Sequence, residues 1–176
     1  MWSISLILSR VFGIFFKEVL TLRNMTFVLD TSALFSMEDL PEDCLCPPGV
    51  ISELERYKDR RTERWGDLLR VSDCTEKSVA VVKEAAKKSG DLGRLSDVDI
   101  TVLALAVDVS GEVLTDDYSI QNVASILGIP YKPVGMQGIK KVEKWNYRCV
   151  GCGKWYKEDV KECGICGHSL RSHRKK

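Results

Sequence analysis

The sequence has little histidine, no overall excess of charge and no apolar run long enough for a membrane span. Only 2 of the 176 residues are histidine, and both, His168 and His173, lie near the carboxyl end. No histidine is therefore evident as a general base for chemistry in the larger part of the chain. The net charge of +1 gives no sign, for the chain as a whole, of a strongly basic or acidic protein.

The apolar residues among positions 1–24 do not form a membrane span. Arg10, Lys17 and Glu18 interrupt them, and the uncharged run 11–16 is short, whereas a spanning helix needs about 20 residues. No small-x-small cleavage site follows, so the sequence predicts neither membrane association nor a signal peptide. We expect the protein to begin at Met25 and residues 1–24 to be an annotation extension; an amphipathic surface helix is the alternative.

The composition, 44% hydrophobic and 29% charged, is that of a folded globular chain. Its length suits one medium domain with a small second unit. The small net charge hides an asymmetry: residues 132–176 contain 12 Lys and Arg against 4 Asp and Glu, whereas residues 1–131 contain 14 against 21. An acidic front (net −7) and a basic back (net +8) are typical of a metal-binding body joined to a polyanion-binding segment.

Apolar runs that alternate with helical patterns predict an α/β domain from residue 26 onward. Strands are predicted at 26–30, 43–46, 112–115 and 129–134, and helices at 32–36, from Pro48, at 97–109 and at 119–127. The stretch 77–88 fits either a strand at 79–82 or a helix through 83–89. Such alternation favours a parallel sheet with helices on both faces.

Four acidic residues follow predicted strands or open predicted helices. They are Asp30, Glu53, Asp99 and Asp117. Because the carboxyl ends of parallel strands meet at one edge of a sheet, we expect these carboxylates to lie together there. Like charges so close repel unless a cation binds, and oxygen ligands without histidine favour Mg²⁺ or Mn²⁺. The pattern is typical of metal-assisted phosphodiester hydrolysis.

Each acid also has a simpler interpretation. Asp30 is as well placed to cap the helix that follows it, where Thr31 and Ser32 are the other candidate caps. Glu53 and Asp99 are also explained as first-turn acids that the helix dipole favours. Spacing alone does not decide whether Asp97 or Asp99, and whether Asp116 or Asp117, faces the site.

Four of the seven cysteines form two CxxC pairs, Cys149 with Cys152 and Cys163 with Cys166, separated by ten residues. Two such pairs suit tetrahedral Zn²⁺, and the lack of a secretory context disfavours disulfides. We therefore expect a structural zinc site of four thiolates, with no need for His168 or His173. The glycines that follow each pair, Gly153 and Gly167, fit tight turns with positive φ. The other cysteines are expected to be small buried residues: Cys44, Cys46 and Cys74.

The basic residues of the carboxyl-terminal segment are candidates for contacts with RNA phosphates. They are Lys140, Lys141, Lys144, Arg148, Lys154, Arg171 and Arg174, with Lys175 and Lys176 at the end. Trp145, Tyr147, Trp155 and Tyr156 offer faces on which bases stack or, alternatively, shield the zinc site. Zinc would serve as the core of this segment, which has few apolar residues.

Four short motifs resemble those of the PIN-domain nucleases, in the same order along residues 25–135. They are Asp30-Thr31-Ser32 after an apolar strand, Val50-x-x-Glu53-Leu54, Leu95-Ser96-x-x-Asp99 and Thr115-x-Asp117. The resemblance implies a three-layer domain in which these four acids bind divalent metal and cleave single-stranded RNA. It also selects Asp99 over Asp97 and Asp117 over Asp116.

A PIN-like domain followed by a CxxC…CxxC ribbon resembles the Nob family of pre-rRNA endonucleases. Two stretches are similar to that family specifically, Leu95–Leu105 and Thr115-x-Asp117-Tyr118-x-x-Gln121-Asn122-Val123. The resemblance implies cleavage at the 3′ end of small-subunit (16S) pre-rRNA during ribosome biogenesis, with a KH-domain assembly factor as a partner. The lack of a secretory context separately predicts a reducing, cytoplasmic location. The compact tail is typical of archaeal members. The expected layout is a nuclease domain over 25–135, a linker over 136–142, a zinc ribbon over 143–172 and a basic tail over 173–176.

Two other functions stay open at this point. A toxin-type PIN ribonuclease would act on tRNA or mRNA, although such proteins usually lack the ribbon. A non-catalytic zinc-ribbon factor would bind RNA without cutting it. Metal-dependent cutting of small-subunit RNA, compared with unrelated RNAs, discriminates among the three.

Overall fold

Five short parallel strands form the central sheet of the computed structural model, which describes residues 25–58, 65 and 68–174. They are β1 (Phe27–Leu29), β2 (Cys44–Cys46), β3 (Arg70–Val71), β4 (Glu112–Leu114) and β5 (Tyr131–Lys132), in the order β3-β2-β1-β4-β5. β1, β2 and β4 are apolar runs buried almost throughout, as expected of a covered parallel sheet. The predictions for residues 1–24, Lys175 and Lys176 lie outside the described residues.

Among the described residues, five helices with defined bounds pack around the sheet. They are α1 (Thr31–Ser36), α2 (Pro48–Arg56), α3 (Glu76–Ser89), α4 (Asp97–Val109) and α5 (Tyr118–Leu127). The most apolar helix, α4, packs against β1 and β4 and also against α2, α3 and α5, so residues 102–106 are all buried. The predicted fold class, a parallel sheet with helices on both faces, is confirmed. In the part of the chain that the structure describes, every helix is too short or too polar to cross a membrane.

Two elements differ from the sequence prediction. Residues 76–89 form one helix, α3, because the Thr75 hydroxyl caps it and Val82, Ala85 and Ala86 recur at helical spacing on its buried face; a strand at 79–82 is wrong. Strand β5 spans two residues instead of six because Pro130 and Pro133 flank it and have no N–H to give to a ladder.

The carboxyl-terminal segment forms a separate three-stranded antiparallel sheet. Its strands are β6 (Trp145–Cys149), β7 (Trp155–Tyr156) and β8 (Leu170–Arg174), in the order β7-β6-β8. His173 and Arg174, expected in a basic tail, pair with Asn146 and Trp145 as the last residues of β8. The described basic residues at the end of the chain therefore belong to the ribbon sheet.

The strand order determines where a ligand site belongs. The chain moves outward from β1 through β2 to β3, then returns to place β4 and β5 on the other side of β1. The direction reverses between β1 and β4, and in such sheets ligands bind in the crevice at the carboxyl ends of the two strands that flank the reversal. Asp30 follows β1, and Thr115, Asp116 and Asp117 follow β4.

Candidate active site and zinc site

Asp30 lies at the carboxyl end of the central strand and also caps the helix that follows. Its backbone N–H donates to the Leu114 carbonyl at the end of β4, 3.1 Å away. Its carboxylate accepts from the N–H groups of Thr31 (2.7 Å) and Ser32 (3.3 Å), so Asp30 is the N-cap of α1. The strand-end and cap interpretations of Asp30 are thus both true of its position. The expectation that Thr31 or Ser32 caps α1 is wrong, because the helix already begins at Thr31.

Two hydroxyl groups hold the buried Asp30 carboxylate in place. The Ser32 hydroxyl donates to Asp30 Oδ2 at 2.6 Å, and the Thr115 hydroxyl donates to the same oxygen at 2.8 Å. Burial raises the pKa of Asp30 above its usual value, and the hydrogen bonds from Ser32 and Thr115 oppose that rise. The fold therefore holds this carboxylate in a fixed position at the crevice.

Thr115 links Asp30 to Asp117. The hydroxyl that donates to Asp30 also accepts from the backbone N–H of Asp117, 3.0 Å away. Asp117 is the N-cap of α5, where its Oδ1 accepts from the N–H groups of Ser119 (2.5 Å) and Ile120 (3.2 Å). Two predicted site acids are thereby fixed relative to each other through one buried threonine.

Thr31 makes the corresponding link to Glu53. Its hydroxyl donates to Glu53 Oε2 at 2.6 Å, while its backbone N–H bonds to Asp30. Glu53 lies in α2, which packs against α1. Neither threonine was among the residues predicted to form the site; the signal was the hydroxyl beside each acid in Asp30-Thr31 and Thr115-x-Asp117.

Asp99 lies in the first turn of α4 and forms a capping box with Ser96. Its Oδ2 accepts from the Ser96 N–H at 2.7 Å, and its own N–H donates to the Ser96 hydroxyl at 3.1 Å. Burial, and after it the charges of Asp30 and Asp117, raise the pKa of Asp99 to about 6. Because the charges of Asp30 and Asp117 act on Asp99, the three carboxylates lie near one another.

The two competing acids point elsewhere. Asp97 is exposed on α4. Asp116 accepts from the N–H groups of residues 134–136 and from the Ser36 hydroxyl. Burial acts to raise the pKa of Asp116, but these hydrogen bonds outweigh it and hold the pKa below the usual value. Asp116 is therefore engaged in holding the chain after β5.

In the part of the chain that the structure describes, three of the four predicted site acids have a carboxylate oxygen without a hydrogen bond, whereas both oxygens of Asp30 accept hydrogen bonds. Within the described residues, Glu53 Oε1, Asp99 Oδ1 and Asp117 Oδ2 accept no hydrogen bond, because the other oxygen of each carboxylate takes the bonds given above. The donor set contains only oxygen, which suits Mg²⁺ or Mn²⁺. The acids do not, however, converge as closely as the cysteines: of the described residues, only the CxxC cysteines form a group whose possible ligand atoms all lie within 4.8 Å of one another.

The four CxxC cysteines come together at the end of the ribbon. Cys149 Sγ lies 3.3 Å from Cys166 Sγ, and Cys152 Sγ lies 3.5 Å from Cys163 Sγ. Gly153 (φ +75°) and Gly167 (φ +70°) adopt the left-handed conformation predicted for the two turns. Four sulfur atoms at such distances fit a tetrahedral Zn²⁺.

The Tyr156 hydroxyl and nearby backbone N–H groups favour the thiolate state of Cys163, whereas at Cys152 the Lys154 N–H acts to lower the pKa but contacts with the other cysteines outweigh it and raise the pKa to about 11. The Tyr156 hydroxyl lies 3.1 Å from Cys163 Sγ, and this contact, with backbone N–H groups, lowers the pKa of Cys163 to about 5. The thiolate is the form that binds metal. His168 contacts the Cys166 carbonyl through Nδ1 and is not part of the sulfur cluster. Outside the ribbon, Cys44 and Cys46 are buried, as predicted, and Cys74 is half-buried.

Residues 134–143, here called the strap, run from β5 to β6 and are held by hydrogen bonds to side chains of the nuclease domain. Asp116 accepts from the N–H groups at the start of the strap. The buried side chain of Gln121 accepts from Ile139 N at 2.9 Å, and the buried side chain of Asn122 bonds to both Glu143 N and Glu143 O at 2.6 and 2.8 Å. The segment predicted as a linker over 136–142 is thus held against the nuclease domain.

The ribbon also contacts the nuclease domain directly. The buried Tyr147 hydroxyl donates to the Gly90 carbonyl at 2.5 Å. The Arg94 guanidinium lies 4.2 Å from the centre of the Trp145 ring, and Lys87 forms an ion pair with Glu158. A Cβ on Gly90 would lie 2.7 Å from the Trp145 carbonyl, so only glycine permits this approach. These contacts fix the ribbon relative to the sheet.

The predicted RNA-binding residues lie on three surfaces. Lys140, Lys141 and Arg174 line a groove between the strap and the nuclease domain, together with Tyr118, the residue after Asp117. Arg148 and Arg171 line a hollow on the ribbon beside the cysteines. Lys144 lies in a third hollow with Lys157, and Lys154 lies over the Tyr156 ring.

The ribbon aromatics divide between the two predicted roles. Tyr147 is buried against Gly90, Tyr156 contacts Cys163, and Trp145 is covered by Arg94. Trp155 is 54% exposed; the Arg148 guanidinium lies over its ring, 5.6 Å from the ring centre, and the His173 ring meets it edge to face. Trp155 is therefore the most exposed of the four and the one best placed to stack on a base, whereas the others serve the structure.

Comparison with known proteins shows similarity to PIN-domain ribonucleases. Residues 27–109 match the family model described as the PIN domain of ribonuclease. The chain is 40% identical over 159 residues to ribonuclease VapC1 of Thermoplasma acidophilum, covering 89% of this chain and 82% of that one. It is 38% identical to endoribonuclease Nob1 of Pyrococcus abyssi over 82% of this chain and 89% of that one. It is also 38% identical to endoribonuclease Nob1 of Archaeoglobus fulgidus, over 80% and 86% of the two chains.

Proposed function

Since the chain belongs to the Nob family of PIN-domain endoribonucleases, we propose that it cleaves single-stranded RNA at the 3′ end of small-subunit (16S) pre-rRNA during ribosome biogenesis. Endoribonuclease activity follows from the family. The substrate is the proposal, and it rests on the Nob1 relatives and on a nuclease domain joined to a basic zinc ribbon.

The catalytic residues in this proposal are Asp30, Glu53, Asp99 and Asp117, which would hold Mg²⁺ or Mn²⁺ through their carboxylate oxygens. When bound, such an ion lowers the pKa of an attacking water and stabilises charge on the phosphate. The observation that carries the assignment is the pair of threonine bridges. Thr31 and Thr115 connect Glu53, Asp30 and Asp117 into one arrangement at the crevice between β1 and β4.

The ribbon and the strap would supply RNA affinity, since an acidic crevice repels phosphate. The proposed zinc ligands are Cys149, Cys152, Cys163 and Cys166. The proposed RNA-binding residues are Lys140, Lys141, Lys144, Arg148, Lys154, Arg171 and Arg174. Arg174 is paired with Glu143, so it would contribute less charge than the others. We place the protein in the cytoplasm, which keeps free thiols reduced, and propose a KH-domain assembly factor as its partner.

An RNA-cleavage assay tests the catalytic assignment. Asp30→Asn should abolish Mn²⁺-dependent cleavage of RNA that spans the small-subunit 3′ end, because it removes the negative charge of the carboxylate at the end of β1. RNA binding should stay intact or tighten as repulsion falls. Asp97→Asn is the matched control, since this exposed acid lies in α4 near Asp99, and its activity should equal that of the wild type. Retained cleavage by Asp30→Asn would refute the assignment.

The similarity to ribonuclease VapC1 favours a second candidate, a toxin-type ribonuclease that acts on tRNA or mRNA. A chain ended after Lys144 separates the two, because it lacks the ribbon but keeps the strap that Gln121 and Asn122 hold. A toxin-type enzyme should keep its cleavage after this truncation. The pre-rRNA enzyme should lose its selectivity for small-subunit RNA over unrelated RNAs.

A further inference from the structure

The groove between the strap and the nuclease domain, here called the strap groove, has a volume of about 720 Å³ and includes Tyr118, the residue that follows Asp117. Its walls include Arg94, Tyr118, Lys140, Lys141 and Trp145. We propose that the strap groove binds one unpaired nucleotide of the RNA, with its base stacked on Tyr118 and its phosphates beside Lys140 and Lys141. This inference rests on the proposed function only in taking single-stranded RNA as the ligand.

Tyr118 is the stacking surface. It is the first residue of α5 and follows Asp117 directly, yet 49% of its surface is exposed. A ring so exposed contributes little to the core, whereas base stacking on an aromatic ring strengthens binding and tolerates any sequence. Tyr118 is the next residue in the chain after Asp117, which belongs to the crevice. A base stacked on Tyr118 would therefore lie close to the proposed catalytic acids.

Lys140 and Lys141 supply the positive charge. Both are exposed, and in the described part of the chain neither ammonium group takes part in an ion pair. Arg174, in the same groove, is neutralised by Glu143, and Arg94 is stacked on Trp145. The two lysines are therefore the groove cations that remain free to contact phosphate. Without them, the nearby carboxylates would repel the RNA.

The strap holds these lysines at a fixed distance from the catalytic acids. Gln121 is fully buried; its Oε1 accepts from Ile139 N, and its Nε2 donates to the carbonyl of Thr115 at 3.0 Å. Thr115 is the residue whose hydroxyl bridges Asp30 and Asp117. One side chain thus connects the wall of the strap groove with the crevice, so the groove is formed before RNA arrives and little ordering is needed on binding.

Fluorescence anisotropy with a short labelled single-stranded RNA tests this inference, using the full-length, zinc-loaded protein without Mg²⁺ or Mn²⁺. Tyr118→Ala should raise the dissociation constant about tenfold or more, the loss expected for one stacked base, whereas Tyr118→Phe should bind as the wild type does. The double variant Lys140→Ala/Lys141→Ala should weaken binding several-fold at low salt. Its charge-matched control is Lys77→Ala/Lys83→Ala, two exposed positions on α3 away from the groove.

Unchanged binding by Tyr118→Ala would overturn the inference, as would an equal loss in the α3 control. A loss in Tyr118→Phe as large as in Tyr118→Ala would also overturn it, since the phenyl ring still stacks. The proposed function fails differently: the wild type would then leave small-subunit RNA uncut in Mn²⁺ even though Tyr118 controls binding. Because binding is measured without the catalytic metal, the two results are independent.

Discussion

Single hydrogen bonds determine how the acids of this site are arranged. Asp30, Asp99 and Asp117 each accept a backbone N–H at the start of a helix, and in Asp99 and Asp117 this leaves the second oxygen without a hydrogen bond among the described residues. Helix capping and metal binding are therefore compatible roles for these two residues. The capping interaction orients each carboxylate, and the remaining oxygen is available as a ligand.

The raised pKa of Asp99 predicts a stability change. Because the folded-state pKa of about 6 exceeds the ordinary value of 3.8, the fold disfavours ionised Asp99, and the wild type loses stability as the pH rises through this range. Asp99→Asn keeps an oxygen that can cap the helix but removes the negative charge. Without divalent metal, this variant should have a free energy of unfolding at pH 8 that is about 1–2 kcal/mol higher than that of the wild type. The value is lower than the full pKa shift would give because Asp99 is partly exposed to solvent.

Urea unfolding at pH 8 and at pH 4 measures this difference. The gain should shrink to a small part of its pH 8 value at pH 4, where Asp99 is largely protonated in the folded state and still partly ionised in the unfolded one, whose pKa is 3.8. Asp97→Asn, at an exposed position, should show no gain at either pH. An Asp99→Asn protein no more stable than the wild type at pH 8 would contradict the burial argument.

At the scale of elements, the ribbon and the strap are stabilised by different interactions. The ribbon encloses few buried apolar side chains; Tyr147, Cys149 and Cys163 are its buried residues, so metal must take the place of a hydrophobic core. The strap depends instead on the buried side chains of Gln121 and Asn122 and on Asp116. We therefore expect the two to respond independently to the loss of zinc.

Zinc removal by a chelator should unfold the ribbon and leave the strap and the nuclease domain folded. Amide signals of residues 145–174 should collapse in NMR spectra, while those of Ile139 and Glu143 stay in place because Gln121 and Asn122 still hold them. The double variant Cys163→Ser/Cys166→Ser should reproduce the chelated spectrum. Loss of the Ile139 signal together with the ribbon signals would show that the strap depends on zinc.

At the scale of the whole molecule, opposite charges are kept apart along the chain. The acids that would bind metal lie at the crevice, and the basic residues lie on the strap and the ribbon. The hydrogen bond from Tyr147 to Gly90 joins the ribbon to the nuclease domain. Attraction for a polyanion and the chemistry of cleavage thus belong to different surfaces. RNA affinity should accordingly depend strongly on salt, and the dependence should trace to the basic surfaces.

The salt dependence of RNA binding checks this separation. The logarithm of the binding constant should fall linearly with the logarithm of the salt concentration. If about five phosphates of a single strand are neutralised, the slope of this line should be near −3.5. Arg148→Ala/Arg171→Ala, on the ribbon hollow, should reduce the slope by about 1.4, whereas Lys77→Ala/Lys83→Ala should not change it. Anisotropy titrations between 50 and 300 mM NaCl give the slopes. A slope near zero would exclude phosphate contacts as the main source of affinity.

Local patterns in the sequence were sufficient for much of this fold. The apolar runs at β1 and β4 and the glycines after each CxxC pair depend on neighbours a few residues away, and their structures follow the prediction. The parallel sheet followed from the alternation of strands and helices. The spacing of the four cysteines was likewise enough to predict that they meet.

Only the tertiary structure decided how distant segments meet. The bridges from Thr115 to Asp30 and from Thr31 to Glu53 join residues 85 and 22 positions apart, and the strap is held by buried amides that a sequence pattern shows only as polar residues in a helix. Such contacts depend on strand order, because β1 and β4 are neighbours in the sheet but far apart in the chain. The sequence by itself determined which residues are suited to metal and RNA; the packing of the sheet decided which of them share a site.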